Sequence, residues 1–261
     1  MAFNDEVAIV TGGATGIGAA VVRTLAEQGV RCVINYASSA DAAESLAAEL
    51  GNGSIAVRAD IAEDAQCTAL VDAAQQAFGR LDYLVNNAGR TKFADHEDMA
   101  ALDADDFLDI YRLNVVAPFQ MIRAATPLLR EGPASAVVNI ASIAGVHGVG
   151  SSVAYAASKG ALITLTKSLA RVLAPAIRLN AIAPGYVGTG WFERRGDADA
   201  FDRLNRYIAN NVPMGFAAMA QDIAGPVVNL LDPASRAITG ETLLVDAGQH
   251  LDIGLSRRPG K

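Results

Sequence analysis

The chain has 261 residues, 51% of them hydrophobic, 19% charged, and a formal net charge of −7. That composition is too apolar for a disordered chain and ample for a sizeable core. The acidic balance, with no dense run of Lys or Arg, argues against a nucleic-acid binder or an anionic-membrane binder. Only Cys32 and Cys67 are present, too few for a disulfide framework, and both are expected as buried thiols in a reducing compartment. The N-terminus carries acids and only a short apolar run, unlike a signal peptide. The longest stretch free of Asp, Glu, Lys and Arg, Gly132 to Ser158, is interrupted by Gly, Ser, Asn and His, so no membrane span is expected. A cytoplasmic protein is the expectation.

Short apolar runs alternate with longer alanine-rich amphipathic stretches. Glu6–Thr11 reads as a buried strand, Ile17–Gln28 as a helix closed by Gly29, and Arg31–Tyr36 as a second strand. Asp41–Leu50 is a helix, Ser54–Ala59 a strand, Asp64–Phe78 a helix ended by Gly79, and Asp82–Asn86 a strand. Asp103–Leu129 reads as a long helix bent near Pro118, followed by a strand at Ala136–Ala141. Then come a long helix at Val153–Leu173, a strand at Ile177–Ala183, a helix at Gln221–Leu231 and a last strand at Thr242–Asp246. Strict alternation with near-continuous apolar strands predicts an α/β fold: a doubly wound parallel sheet of Rossmann type. One domain is expected over residues 1–250, with a tail at 251–261. Residues 185–212, poor in hydrophobic periodicity, are the candidate lid, where Trp191 and Phe192 would cover the ligand or pack on a helix.

Between the first strand and first helix stands Thr11-Gly12-Gly13-Ala14-Thr15-Gly16-Ile17-Gly18. Glycines permit positive φ and close backbone approach, and a helix N-terminus offers unpaired N–H groups to a pyrophosphate. The spacing is Gly-x3-Gly-x-Gly rather than G-x-G-x-x-G, and an ordinary tight turn would look the same. The second strand ends Asn35-Tyr36-Ala37-Ser38-Ser39. An acid there would hold the adenosine ribose hydroxyls and repel a 2′-phosphate. No acid is present, Ser38 and Ser39 could bond a phosphate, and no Arg or Lys lies in the segment, so NADP(H) is weakly preferred with NAD(H) open.

Tyr155 and Lys159 are four apart in a predicted helix, on one face. Ser142 stands just past the end of the fifth strand, at the sheet edge where ligands bind. A lone Tyr–Lys pair is more often a solvated helix face. Ketone reduction, however, needs a proton delivered to oxygen, and a free phenol with a pKa of about 10 is a poor shuttle at neutrality. Lowering it by about three units takes roughly 4 kcal/mol, which one cation near 4 Å supplies at an effective dielectric of about 20.

These pieces, with Asp60, Asn86-Asn87-Ala88-Gly89, Asn114 and Pro184-Gly185-Tyr186-Val187-x-Thr189, resemble the short-chain dehydrogenase/reductase family over nearly the whole chain. The resemblance implies Tyr155 as general acid/base, Lys159 on the nicotinamide ribose and lowering the Tyr155 pKa, Ser142 orienting substrate, and Asn114 holding a relay water. It implies a cofactor set of Gly12, Thr15, Gly16, Ile17, Gly18, Tyr36, Ser38, Asp60, Ile61, Asn87, Ala88, Gly89, Tyr155, Lys159, Pro184, Gly185, Val187 and Thr189. The implied reaction interconverts a ketone and a secondary alcohol. The chain looks most similar to 3-oxoacyl-carrier-protein reductases and to sugar or polyol dehydrogenases, which Val212–Phe216 resembles slightly. Substrate would be a small ketone or alcohol, carrier-bound in the first case, and a homotetramer or homodimer would form through the two long helices and the last strand. Arg130 and Arg171 either hold an acidic carrier or cap helix dipoles.

The chain departs from the family where Thr15 and Ala37 replace frequent basic residues, and where Ala220-Gln221 replaces a common Pro-Glu. His96, His147 and His250 show no metal-ligand spacing, so no metal is expected; His147 either faces substrate or is a plain loop residue. A non-catalytic dinucleotide sensor is the rival of another class, weakened by the presence of both Tyr155 and Lys159.

Overall fold

Short, largely apolar runs rich in β-branched residues and alanine form a parallel sheet, because strands covered on both faces carry few polar residues. In the computed structural model, which describes residues 3, 5–190 and 198–251, these are β1 (Val7–Val10), β2 (Arg31–Tyr36), β3 (Ile55–Arg58), β4 (Tyr83–Asn86), β5 (Ser135–Ile140), β6 (Ile177–Pro184) and β7 (Thr242–Val245). Their order in one all-parallel sheet is β3-β2-β1-β4-β5-β6-β7. The direction of winding reverses between β1 and β4, so the loops leaving those two strands part and open a crevice.

Helices α1 (Gly16–Glu27), α2 (Ala40–Leu50) and α3 (Asp64–Phe78) follow the first three strands. Then come α4 (Ala104–Tyr111), α5 (Ala117–Leu129), α6 (Val153–Leu173), α7 (Ala198–Asn211) and α8 (Ala220–Leu231). Alternate residues of each strand feed opposite cores. Ala8 and Val10 join Val22 and Leu25 of α1 and Ile223 and Val227 of α8 on one face. Val7 and Ile9 join Leu70 of α3, Met121 and Ile122 of α5 and Leu173 of α6 on the other. A fully buried Leu or Ile contributes about 1.5–3 kcal/mol, so each face carries a large apolar driving force.

Three local features differ from the sequence reading. The predicted helix over 103–129 is split by a π-turn at Arg112–Val116, and the irregularity precedes Pro118 rather than centring on it. Pro118 has no N–H for the carbonyl of Asn114, so the regular ladder cannot run through this point. A one-turn helix, Ala144–His147, follows β5. Within the expected lid, 198–211 is helical. Residues 191–197, with Trp191 and Phe192, and the tail from 252 onward lie outside the described residues. Cys32 and Cys67 are buried free thiols, and burial pushes them up to about 12 and about 11. No described helix is long and apolar enough to cross a membrane.

Candidate active site

The glycine-rich turn leaves β1 and enters α1. Gly12 and Gly16 have φ of +59° and +55°, the left-handed region open to glycine. A Cβ on Gly18 would stand 2.3 Å from the Gly12 carbonyl oxygen, so only glycine lets α1 begin this close to the turn. Thr15 is the N-cap in extended conformation, and its side chain makes no cap bond. The first N–H groups of α1 are therefore left to an external acceptor, as an anion-binding turn requires.

The neighbouring strand ends clamp this turn. Asn35, buried at 2% exposure, accepts from the Gly12 N–H at 3.2 Å and donates to the Ala59 carbonyl at 2.9 Å. The Thr11 hydroxyl accepts from the Asn87 and Ala88 N–H groups at 2.9 and 3.1 Å. Asn87 Nδ2 donates to the carbonyls of Thr11 and Gly12, both at 3.0 Å. Thr189, on the loop after β6, lies 3.8 Å from where a Gly16 Cβ would be. Gly12, Gly16, Gly18, Asn87, Ala88 and Thr189 thus line one crevice.

Asp60, Ile61, Tyr36 and Ser38 lie at the exits of β2 and β3, farther along the same sheet edge. The Asp60 carboxylate accepts from the Ala62 N–H at 3.0 Å, closing its own turn, and the Ile61 side chain is in the core. Only the backbone of Ile61 can meet a ligand. Pro184 ends β6, buried, and Gly185 is packed so tightly that a Cβ would fall 2.6 Å from Asp246 Cβ.

Ser142, Tyr155 and Lys159 cluster beyond β5 and β4. Ser152 caps α6, accepting from the Tyr155 N–H at 3.3 Å. Ser142 Oγ accepts from the Ala144 N–H at 3.1 Å, and its hydroxyl hydrogen-bonds the Tyr155 side chain. Lys159, one turn on and 4% exposed, donates from Nζ to the Ile140 carbonyl at 2.8 Å and lies 5.7 Å from the Tyr155 ring centroid. Burial pushes the Tyr155 phenol up to about 12, against a smaller lowering by Ser142, and burial pulls Lys159 down to about 8. The expected lowering of the phenol by Lys159 is not seen: the ammonium is directed to the Ile140 carbonyl, and burial dominates the phenol's shift.

The Asn114 side chain accepts from the Arg90 N–H and donates to the Arg90 carbonyl, both at 2.9 Å, and donates to Ser158 Oγ at 3.0 Å. Ser158 in turn donates to the Tyr155 carbonyl at 2.7 Å. Asn114 thereby ties the loop after β4 to the helix that carries Tyr155. A Cβ on Gly89 would be 3.2 Å from Asn114 Oδ1 and 3.6 Å from Lys159 Nζ, which brings the β4 loop up to the lysine.

Beside this cluster is a cavity of about 350 Å³ lined by Phe93, Ala94, Asp95, His96, Gly150 and Ser151. Gly150 approaches the Tyr155 ring, since a Cβ there would lie 3.9 Å from Tyr155 Cδ1. His96 Nε2 is buried with no hydrogen-bond partner among the described residues. His147 is exposed at the end of the one-turn helix, its ring stacked 6.4 Å from that of His250, which Asp246 holds at 2.8 Å. Among the described residues no three His, Cys, Asp or Glu side chains form a group suited to a metal.

A family model described as enoyl-(acyl carrier protein) reductase matches residues 12–250. The chain belongs to the short-chain dehydrogenase/reductase family. It is 40% identical over 245 residues to a provisionally named ketoacyl reductase 2 of the granaticin polyketide synthase of Streptomyces violaceoruber, covering 94% of this chain and 96% of that one. It is 35% identical over 261 residues to L-rhamnose 1-dehydrogenase (NAD(P)(+)) of Azotobacter vinelandii, covering 97% and 100%. The crystal structure of a dehydrogenase/reductase from Sinorhizobium meliloti superposes with a TM-score of 0.84 at 33% identity, covering 95% and 96%. The protein is thus an NAD(P)-dependent oxidoreductase interconverting ketones and secondary alcohols, with a small molecule as substrate. The glycine cradle and uncapped start of α1 fit such a dinucleotide.

Sequence reasoning missed several supports of this site. Asn35 had a signal, a buried amide in an otherwise apolar strand. The Ile140 carbonyl, Ser158 and the His96 cavity had none, because each acts through a partner distant in sequence.

Proposed function

We propose that this short-chain dehydrogenase/reductase works chiefly as an NADPH-dependent reductase of an oxygen-rich ketone, with Tyr155 as the proton donor. The hydrogen-bonded Ser142–Tyr155 pair, with Lys159 buried one turn behind, carries the reading. Nicotinamide, when bound, supplies the hydride to the carbonyl carbon. Ser142 holds the carbonyl oxygen beside the phenol, and Tyr155 gives it a proton. A phenol held near 12 is fully protonated at neutrality, the form a reductase needs. Lys159 holds the nicotinamide ribose and sets a positive charge behind the phenol. The Asn114 side chain is already engaged, so its share in proton supply falls to its main-chain carbonyl, which Pro118 cannot bond within the helix.

For the dinucleotide, Gly12, Thr15, Gly16, Ile17 and Gly18 receive the pyrophosphate. Tyr36, Ser38, Asp60 and the Ile61 backbone take the adenosine end, with Asn87, Ala88 and Gly89 along its length. Pro184, Gly185, Val187 and Thr189 face the nicotinamide amide. We place the lid on residues 185–212; among its described residues the Tyr186 hydroxyl donates to Asn205 at 2.8 Å within the segment, and Val187 bridges to Ala218 beyond it.

Two substrate classes are supported. A 3-oxoacyl thioester, carrier-bound, accords with the ketoacyl relative, and exposed Arg130 and Arg171 would meet an acidic carrier. A sugar accords with the rhamnose dehydrogenase and with the His96–Ser151 cavity, whose polar groups suit a polyol. Assembly as a homodimer or homotetramer is supported by exposed Val116, Phe119 and Val172 on α5, its preceding turn and α6.

The deciding experiment is turnover of both substrate classes with NADPH and NADH in parallel. Tyr155→Phe is expected to lower kcat/KM at least a thousandfold while leaving the cofactor Kd within twofold. Undiminished turnover would overturn the mechanism. Alcohol oxidation needs the phenolate, so its rate is expected to climb from pH 7 to pH 9 while ketone reduction does not.

A further inference from the structure

Discrimination for a 2′-phosphate needs a cation at the end of β2, and the segment Asn35–Ser39 holds none. The sheet register supplies one from elsewhere. Tyr36 of β2 pairs with Arg58 of β3, the last residue of its strand. Arg58 is exposed, and its Nε donates to the Ala37 carbonyl at 3.3 Å. This bond uses one N–H of the guanidinium and leans the group on the exit of β2, one residue from exposed Ser38. No carboxylate forms an ion pair with Arg58 among the described residues. Ser39, the N-cap of α2, makes no side-chain cap bond, so the first N–H groups of that helix open on the same corner.

We infer that Arg58 is the residue that selects NADP(H), its guanidinium pairing with the 2′-phosphate of the adenosine ribose while Ser38 adds a hydroxyl. The inference rests on the reading that the crevice holds NADP(H), and it names the charge that reading lacked. A planar guanidinium bonds phosphate through two N–H groups at once, and a stem already held by a carbonyl loses less freedom on binding. The cation is provided across the strand pair instead of at Thr15 or Ala37. Asp41, in the first turn of α2, is the opposing charge at this corner and tempers the preference.

The test compares binding of 2′,5′-ADP and 5′-AMP by calorimetry, with no turnover required. The wild type is expected to bind 2′,5′-ADP at least tenfold more tightly than 5′-AMP. Arg58→Gln should remove about tenfold of that advantage, leave 5′-AMP binding within twofold, and leave the melting temperature unchanged. Arg58→Lys should fall between, having charge without the fork. In turnover, kcat/KM for NADPH should drop by the same factor in Arg58→Gln, with that for NADH unchanged. An unaltered 2′,5′-ADP to 5′-AMP ratio in Arg58→Gln overturns the assignment and leaves the oxidoreductase reading intact. A wild type that binds 5′-AMP as tightly as 2′,5′-ADP overturns both the assignment and the NADPH preference. Binding of neither nucleotide would instead sink the dinucleotide reading of the crevice, and the assignment with it.

Discussion

Lys159 is an ammonium in an apolar setting, held by a single carbonyl. Its folded pKa near 8 lies below the ordinary value of 10.5, so the folded state releases this proton first as pH rises. Between about pH 8 and 10.5 the unfolded chain therefore binds more protons at this group. Linkage then requires the group's contribution to stability to increase with pH across that window. Lys159→Met keeps the stem and removes the titration. Urea unfolding at pH 7.5 and pH 10.5 should show the wild type gaining on the variant by at most about 3 kcal/mol. A difference that stays flat with pH would mean the lysine is better solvated than its 4% exposure indicates. The cost of keeping it charged at neutrality is what a positive charge behind the phenol requires.

At the scale of elements, the reactive centre depends on how closely the turn after β5 crosses α6. A Cβ on Gly145 would stand 2.4 Å from the Lys159 carbonyl carbon and 2.5 Å from the Gly160 nitrogen. Gly145→Ala should push that turn off the helix, moving Ser142 away from Tyr155. The expectation is a kcat reduced about a hundredfold and about 1–3 kcal/mol lost in stability, with nucleotide affinity little changed. Normal kcat in the variant would show that the crossing can relax. The sequence made Ser142, Tyr155 and Lys159 readable because helical spacing and a strand end place them with few assumptions. Strand and helix order was readable for the same reason, down to the exact bounds of β2, α3 and α6. What escaped was whatever one element does for another. Arg58 is 21 positions beyond Ala37 in sequence and meets it only through the β2–β3 register. The π-turn before Pro118 has an apolar pattern like any helix. In α7, the spacing of Phe201, Leu204 and Ile208 was masked by the polar residues around them. The uncommon Ala220–Gln221 start of α8 proves harmless, since Asp222 accepts from the Met219 N–H at 2.7 Å and closes the helix start.

For the molecule as a whole, α5 and α6 present an apolar face that no described residue covers. A shallow groove of about 250 Å³ between them is lined by Phe119, Ile122, Thr126, Leu169 and Leu173. Sedimentation should find a dimer or tetramer, and Phe119→Asp should lower the association state while keeping nucleotide binding. A monomeric wild type at micromolar concentration would refute that assembly. The last strand adds a different kind of constraint. Gly185 N–H donates to the Val245 carbonyl at 3.2 Å, Tyr186 N–H to Gln249 Oε1 at 3.0 Å, and Met214 N–H to the Ala247 carbonyl at 3.1 Å. These three anchors of the loop after β6 come from β7 and the turn that follows it. That loop can therefore settle only once β7 has paired with β6, so closing this edge of the sheet and fixing the approach to the crevice are a single event.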